Sequence, residues 1–188
     1  MNLHSDDDVL IVALADPERA REACVILHRR YARRFMNYLR RRGLDHAAAE
    51  DAVQDAFVRL LQKASGFQPQ GQGRAWIWRV ARSAWLDNLR VSRLATEPLQ
   101  GAHEQAAAVA DVAVTSNYQD CVHGQLARFS EAYPEAGQAI VWAAVDGLKS
   151  TQIAELIGRS AGATREFLSQ TRKRLREYLE PCLGLESS

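Results

Sequence analysis

Two aspartates, Asp51 and Asp55, lie four residues apart, a spacing at which two carboxylates could act together. On a helix they lie one turn apart on one face, with Glu50 and Gln54 beside them. Paired carboxylates can form a metal site or a general acid–base pair, but an amphipathic helix provides little pocket in which to raise the pKa of a carboxyl group. We therefore expect an exposed acidic ridge that docks on a basic partner.

Tryptophan and arginine are interleaved in a second segment, where Trp78, Arg82 and Trp85 fall at spacings of four and three. Single-stranded nucleic acid is bound by this combination, because aromatic planes stack on unpaired bases and cations hold phosphates. For Trp78 and Trp85, packing in the core is an equally good interpretation. For Trp76 and Ile77, core packing is the better one.

The segment from Leu148 to Gly158, followed by a basic helix, has the spacing of a helix-turn-helix. Ala154 is small where two helices would approach, and Gly158 stands at a turn that favours a positive φ. A shared apolar core completes the pattern: Ile153, Leu156 or Ile157, and Leu168. Helical hairpins with a glycine turn also occur in proteins that bind no DNA, so a purely structural role is the alternative.

The basic helix carries side chains suited to reading base edges, with Arg165, Ser169 and Arg172 spaced to face a major groove. Glu166 could accept a hydrogen bond from cytosine, and Phe167 could touch a thymine methyl group. Basic residues farther along the helix are better placed to hold phosphates: Lys173, Arg174 and Arg176. The residues expected to bind DNA are Arg165, Glu166, Ser169, Gln170, Arg172 and Lys173.

Helices must position all of these side chains, since apolar residues recur at spacings of three and four and strand signals are almost absent. The predicted fold class is all-α, with two small helical domains joined by a linker, the second being a helix-turn-helix domain. The predicted domains are 1–93, a linker rich in alanine and acid over 94–117, and 118–188. Predicted helices begin near Asp16, Asp45, Arg74, Tyr118, Pro134, Ser150 and Ser160, and a glycine-rich loop covers 65–73.

Composition excludes a large multidomain enzyme and wholesale disorder, because the chain has 188 residues of which 47% are hydrophobic and 25% charged. The net charge of +1 hides a segregation, with seven arginines and no acid over 29–42 and six bases against one acid over 159–176. Two nucleic-acid surfaces on one chain would explain this pattern, and solvated helix faces are the alternative.

Three cysteines, at positions 24, 121 and 182, show no paired spacing, so we expect free thiols, a reducing compartment and a cytoplasmic protein. Cys182 is expected to be exposed, with a redox role or none. Cys24 with His28, or Cys121 with His123, could be half of a metal site, but core packing is the better interpretation of Cys24. With no phosphate-binding glycine loop, nucleophile motif, signal peptide or membrane span in the sequence, we expect neither an enzyme nor a membrane contact, and no cofactor or metal.

In this order the three segments resemble the extracytoplasmic-function sigma factors, small sigma-70 proteins of bacterial RNA polymerase. The resemblance rests on Ala49 to Arg59, on Arg74 to Arg82 and on Ser150 to Arg176. It implies an alternative sigma subunit whose acidic helix docks on the clamp of the largest polymerase subunit through Glu50, Asp51, Gln54 and Asp55. It also implies a helix-turn-helix that reads the minus-thirty-five element of promoter DNA.

The resemblance further implies that the loop matching Gly66 to Gly73 captures a flipped base of the minus-ten element. The residues then expected at the minus-ten element are Phe67, Trp78, Arg79, Arg82, Ser83 and Trp85. A cognate anti-sigma factor is an expected partner. Thr164, Glu166 and Phe167 depart from the family pattern, as does Ser83, so the bases read here need not be those of relatives.

Two other functions remain as alternatives. The first is a helix-turn-helix regulator that binds duplex DNA without core polymerase and dimerises through its amino-terminal half. The second is a helical protein-binding module without DNA affinity, which leaves the basic segments unexplained. The acidic ridge joined to the tryptophan–arginine helix favours a sigma subunit over both.

Overall fold

The computed structural model describes residues 6–95 and 118–184, with backbone alone over 88–95, and within these ranges all regular structure is helical. The all-α prediction is confirmed. The helices are α1 (Asp7–Leu14), α2 (Ala20–Arg40), α3 (His46–Lys63), a 3₁₀ turn (Ala64–Gly66), α4 (Gly73–Ala95), α5 (Tyr118–Ala132), α6 (Pro134–Ala144), α7 (Ser150–Ile157) and α8 (Ala161–Leu183). Within the described residues, none of these helices has the length and apolarity that a membrane crossing needs.

The chain divides into two compact units, residues 1–101 and 102–188. The border falls inside the predicted linker, whose residues 96–117 lie outside the described part of the chain. The linker and the exact domain limits therefore stay predictions.

The amino-terminal part of the first unit differs from the prediction, which placed a helix start at Asp16 and no helix before it. Asp6 caps α1 by accepting a hydrogen bond from the backbone N–H of Asp8 at 2.8 Å. The side chain of Asp16 also accepts a backbone hydrogen bond, from the N–H of Glu18 at 3.0 Å, but it does so within the turn that joins α1 to α2 and not at the start of a helix. Helix α2 therefore begins only at Ala20.

The core of the first unit lies where α2, α3 and α4 pack together, with α1 against α2 and α4. Helix α2 buries Tyr31, Phe35 and Leu39, which follow one another at spacings of four. Rings from three helices meet there, since Phe35 lies 5.8 Å from Phe57 and 5.0 Å from Trp78 between ring centroids. An aromatic cluster of this kind fixes the relative positions of all three helices.

The second unit holds the predicted helix-turn-helix. Helix α7 ends at Gly158, whose φ of +71° is the left-handed conformation expected of a glycine at this turn. Ser160 caps α8, its hydroxyl accepting from the N–H of Ala163 at 3.2 Å. Ile153, Leu156 and Leu168 are buried between these helices. Of the two alternatives left by the sequence, Leu156 is the core residue.

A disulfide joins Cys121 on α5 to Cys182 on α8, with Cα atoms 5.7 Å apart. The expectation of free thiols is wrong for these two residues, and so is the expectation that Cys182 is exposed, since it is only 1% exposed. The pair was not evident from the sequence because 61 residues separate the two cysteines. They meet because α8 continues past Pro181 and packs along α5.

Candidate functional site

The predicted acidic ridge exists on α3. Glu50, Asp51, Gln54 and Asp55 are all exposed, and the residues of the opposite face, among them Ala52, Ala56 and Leu60, are buried. Asp45 caps this helix by accepting from the N–H of Ala48 at 2.8 Å, so the ridge begins on the second turn of a capped helix. Glu50 also lies 3.2 Å from the imidazole of His46, one turn earlier.

Two apolar residues extend this ridge and were missed by sequence reasoning. Val58 is 50% exposed and Leu61 is 40% exposed. With a helical rotation of about 100° per residue, they follow Gln54 and Asp55 along the same side of α3. Val58 lies three residues after Asp55 and four after Gln54, and Leu61 lies three after Val58, so their helical spacing was a usable signal. We call the six residues Glu50, Asp51, Gln54, Asp55, Val58 and Leu61 the docking face.

The structure corrects the prediction for the tryptophans of α4. Trp78 is 1% exposed and Trp85 is 7% exposed. Trp78 packs edge-on against Phe35 at 5.0 Å and against Tyr38 at 5.7 Å. Of the two interpretations that the sequence left open, the core interpretation holds for both tryptophans. Neither ring presents a face on which a base could stack.

The outward face of α4 is instead formed by Trp76, Arg79 and Ser83, at spacings of three and four. Trp76 is half-buried, so its assignment to the core is only partly right, and its ring lies 5.2 Å from that of Phe67 in the preceding loop. Ser83 donates its hydroxyl to the carbonyl of Val80 at 2.9 Å. This face combines a half-exposed aromatic pair with an exposed arginine.

Arg82 does not share this outward face. It is half-buried and lines a small apolar cavity together with Phe35, Tyr38 and Trp78. Of the six residues predicted for the minus-ten element, the structure therefore brings Phe67, Arg79 and Ser83 to the surface side. It places Trp78 and Trp85 inside and Arg82 between the two.

The arginine-rich segment 29–42, which covers the second half of α2 and the turn after it, is partly structural. Arg30 is bound to Asp7 of α1, and the guanidinium of Arg34 lies 5.6 Å from the ring centroid of Tyr31. Arg42 lies over two rings, 4.7 Å from Tyr38 and 5.3 Å from Trp85. Cation–π contacts of this kind hold the guanidinium against the face of the ring. The charge count alone therefore overstates how many of these arginines are available for phosphates.

Helix α8 presents the predicted DNA-binding set on one side. Five of its residues are exposed and Ser169 is half-buried, opposite a buried line of Thr164, Leu168 and Thr171. Glu166 accepts a hydrogen bond from the amide of Gln170 at 2.6 Å, one turn along. The carboxylate and the amide are thus held in a defined arrangement before any ligand is present.

Phe167 lies at the margin of that set and is half-buried. The guanidinium of Arg159 covers its ring at 4.4 Å and is itself bound to Glu135 of α6 at 2.9 Å. One face of Phe167 is therefore occupied by the guanidinium of Arg159. Sequence reasoning had counted Arg159 only as one more base.

The cysteine–histidine pairs take other partners. Cys121 is bonded to Cys182, which removes its thiolate as a metal ligand. His28 packs against Phe57, with ring centroids 4.9 Å apart. Cys24 is half-buried rather than fully buried, and desolvation by burial raises the pKa of its thiol. Across residues 6–95 and 118–184, no group of three or more histidine, cysteine or acidic side chains is arranged to hold a metal ion.

A comparison with protein families matches residues 27–94 to the family described as Sigma-70 region 2. In the structure this match extends from α2 through the docking face and almost to the end of α4. It therefore includes both the acidic ridge and the outward face of Trp76 and Arg79.

Similar curated proteins are RNA polymerase sigma factors. CarQ of Myxococcus xanthus is 27% identical over 160 residues, which cover 85% of this chain and 91% of that protein. CnrH of Cupriavidus metallidurans is 26% identical over 147 residues, covering 73% and 76%. The probable sigma factor RfaY of Xanthomonas campestris pv. campestris is 30% identical over 141 residues, covering 72% of this chain but only 35% of that protein.

Proposed function

The chain belongs to the extracytoplasmic-function group of the sigma-70 family, and we propose that it directs bacterial RNA polymerase to specific promoters as an alternative sigma subunit. The observation that carries this proposal is the presence, on one chain, of the docking face in the unit that matches region 2 and of a helix-turn-helix in the other unit. The alternative of a DNA-binding regulator acting without polymerase has no use for the docking face.

The docking face fits a basic groove on core polymerase. Glu50, Asp51 and Asp55 supply negative charge that steers association, while Val58 and Leu61 supply apolar area that gains free energy when water is excluded. Acids at one end and apolar residues at the other give the face a direction. A partner must match both ends, which favours one register over others.

The outward face of α4 and the loop before it form the proposed minus-ten surface. Phe67 and Trp76 offer the aromatic area that a base expelled from the duplex needs, and Arg79 lies one turn from Trp76 to meet a phosphate. Ser83 remains a supporting member of the set, whereas Arg82 lies beside the apolar cavity and not on this face. In place of Trp78 and Trp85, whose burial argues for a packing role, we assign the stacking role to Trp76.

Helix α8 is the proposed reader of the minus-thirty-five element. Arg165 and Arg172 can contact guanine, and the bonded pair of Glu166 and Gln170 presents an acceptor and a donor side by side. Lys173 lies among them on the exposed side of the helix and is suited to a phosphate. Within this proposed recognition helix, the carboxylate of Glu166 and the amide of Gln170 orient each other through their hydrogen bond.

The proposed partners follow from these three surfaces: core RNA polymerase through its clamp, promoter DNA, and an anti-sigma protein that covers the docking face when the chain is idle. Exposed apolar residues such as Val58 and Leu61 are typical of a surface that is covered in at least one assembly. As a sigma subunit the chain is a regulatory component and not a catalyst, and it acts with polymerase in the cytoplasm.

The proposal is tested by mixing the purified chain with core polymerase and measuring transcription from promoters selected out of a randomised library. The variant Asp51→Lys with Asp55→Lys should lose co-purification with core polymerase and all promoter-specific transcripts. Its thermal stability should stay almost unchanged, because exposed charges contribute little to folding.

A matched control reverses two exposed acids at the far end of α8, Glu177→Lys with Glu180→Lys, which changes the net charge equally. The control should bind core polymerase as the parent does when DNA is absent. Selected DNA bound by the chain alone, with no gain from core polymerase, would contradict the proposal and support a polymerase-independent regulator.

A further inference from the structure

Helix α1 brings two buried carboxylates to the end of the loop between α3 and α4. Asp7 is 5% exposed and Asp8 is 8% exposed. Burying a carboxylate is costly unless hydrogen bonds and opposite charges compensate it, so both groups must be well paired. Their partners lie at the end of the loop and on helices α2 and α4.

The carboxylate of Asp8 holds the backbone of the loop. Its two oxygens accept hydrogen bonds from two amides, one oxygen from the N–H of Gly71 at 2.7 Å and the other from the N–H of Gly73 at 2.6 Å. Hydrogen bonds to a charged acceptor are about twice as strong as those between neutral groups. Asp8 therefore holds the end of the loop at Gly71 and the start of α4 at Gly73 with a single side chain.

The glycines at this clamp are there for reasons of space and conformation. Gly71 has a φ of +69°, which a residue with a Cβ atom rarely adopts. A Cβ atom on Gly73 would lie 2.5 Å from Oδ1 of Asp8 and 2.7 Å from its backbone nitrogen, so only glycine allows this approach. The end of the loop therefore packs directly against the first turn of α1, with no room for a side chain at Gly73.

Asp7 fixes α1 itself, so that the clamp has a rigid base. Its carboxylate accepts from the hydroxyl of Tyr31 at 2.5 Å and lies 3.2 Å from Nε of Arg74, and it also binds Arg30. Tyr31 and Arg30 belong to α2, and Arg74 belongs to the first turn of α4. Asp7 thus ties α1 to α2 and to the first turn of α4, the helix that carries the proposed minus-ten surface.

The other end of the loop is fixed independently, because Phe67 donates its N–H to the carbonyl of Ala64 at 3.0 Å and packs on Trp76. Between the two fixed ends, the exposed loop residues are Gln68, Pro69, Gln70 and Gln72. Because both ends are held, these side chains project from a backbone of defined shape. A defined shape is what a pocket for one expelled base requires.

We propose that Asp8 is a positioning residue for recognition of the minus-ten element, holding the loop of residues 67–73 in its base-binding shape through the amides of Gly71 and Gly73. This inference rests on the proposed sigma function. Asp8 touches no DNA in it. It acts through the loop, and Asp7 keeps α1 in the position from which Asp8 can act.

The test compares Asp8→Asn with Glu18→Gln, a matched loss of one carboxylate at an exposed position near the same helix. The wild-type holoenzyme first selects minus-ten sequences from a randomised promoter library. The probes are then a single-stranded oligonucleotide carrying the selected element and one with the same bases scrambled. The measured quantity for each holoenzyme is the dissociation constant of the scrambled probe divided by that of the selected probe, so a lower ratio means lower specificity.

We expect Asp8→Asn to lower this ratio about tenfold, the size of effect that one lost hydrogen bond to a charged group produces, while affinity for core polymerase stays within about twofold because α3 is untouched. Hydrogen exchange should quicken at the amides of Gly71 and Gly73 and stay unchanged in α2 and α3. Gly73→Ala, which disturbs the same contact from the loop side, should give the same pattern. Glu18→Gln should match the wild type.

An unchanged ratio in Asp8→Asn would overturn the inference. So would an equal loss of core polymerase binding, or unfolding of both Asp8→Asn and Gly73→Ala, because Asp8 would then be a general support of the fold. If the wild-type holoenzyme selects no sequence, the proposed function fails instead. Exchange at Gly71 and Gly73 would still report whether Asp8 holds the loop.

Discussion

Removing the disulfide should destabilise the second unit strongly. The change is Cys121→Ser together with Cys182→Ser, which opens a loop closed across 61 residues of sequence. In the chain-entropy relation, a loop of this length loses about 14 cal/mol/K in the unfolded state, which is about 4 kcal/mol of stability at 25 °C. For a unit of this size, that corresponds to a midpoint of thermal unfolding lower by roughly 15 to 30 °C.

Urea unfolding measures this loss, and the two units can be followed separately. Trp142 is the one tryptophan of the sequence in the second unit, and it is buried at 1% exposure. Hydrogen exchange in peptides from α5, α6 and α8 should quicken, and peptides from α2 to α4 should not change. Adding dithiothreitol to the wild type should reproduce the effect, and Cys24→Ser should respond to dithiothreitol as the wild type does.

Three results would refute this reasoning. The first is a count of three free thiols in protein unfolded without reductant, which would mean that the bond does not form. The second is a double serine variant as stable as the oxidised wild type, which would mean that helix packing already restricts the unfolded chain. A loss confined to the first unit would also contradict it, because both cysteines belong to the second.

The remaining predictions concern single side chains. Trp78→Ala should cost about 3 to 5 kcal/mol of stability in urea unfolding, because it empties a buried site, and a loss below 1 kcal/mol would restore a role in base stacking. Arg165→Ala should lose about 1 to 3 kcal/mol of DNA-binding free energy and relax the preference at one base pair, whereas Lys173→Ala should weaken binding to all sequences alike and lower the salt slope by about one. Library selection and salt titration distinguish the two variants. If Arg165→Ala selects the same sequences as the wild type, Arg165 is a phosphate contact. Burial raises the pKa of the Cys24 thiol, so its alkylation by iodoacetamide should be slow at neutral pH and accelerate as the pH rises, and rapid neutral alkylation would contradict the burial.

Local signals in the sequence were sufficient for several residues that act on their own neighbours, although they missed α1 and its cap Asp6. Asp45 and Ser160 cap α3 and α8 through hydrogen bonds to amides three residues on. Gly158 takes the positive φ that its place in the turn predicts. The acidic ridge was found for the same reason, because helical periodicity alone decides which residues share a face.

Contacts between distant residues were not accessible in this way. Cys121 and Cys182 meet only because α5 packs on α8. Trp78 and Trp85 do share a face, as their spacing indicates, but which face turns inward depends on Phe35 and Tyr38 of another helix. Asp8 gave no sequence signal, since its partners are backbone amides more than sixty positions away.

The close approach of Gly73 to α1 has a practical consequence for directed evolution of promoter choice. Gly71 requires its positive φ and Gly73 has no room for a Cβ atom, so randomising these two positions would mostly yield clones that fail to assemble the loop. Gln68, Pro69, Gln70 and Gln72 face solvent, and residues at such positions tolerate substitution at little cost in stability. A library confined to these four codons could therefore be screened for new minus-ten specificities on an unaltered scaffold, with few clones lost to misfolding.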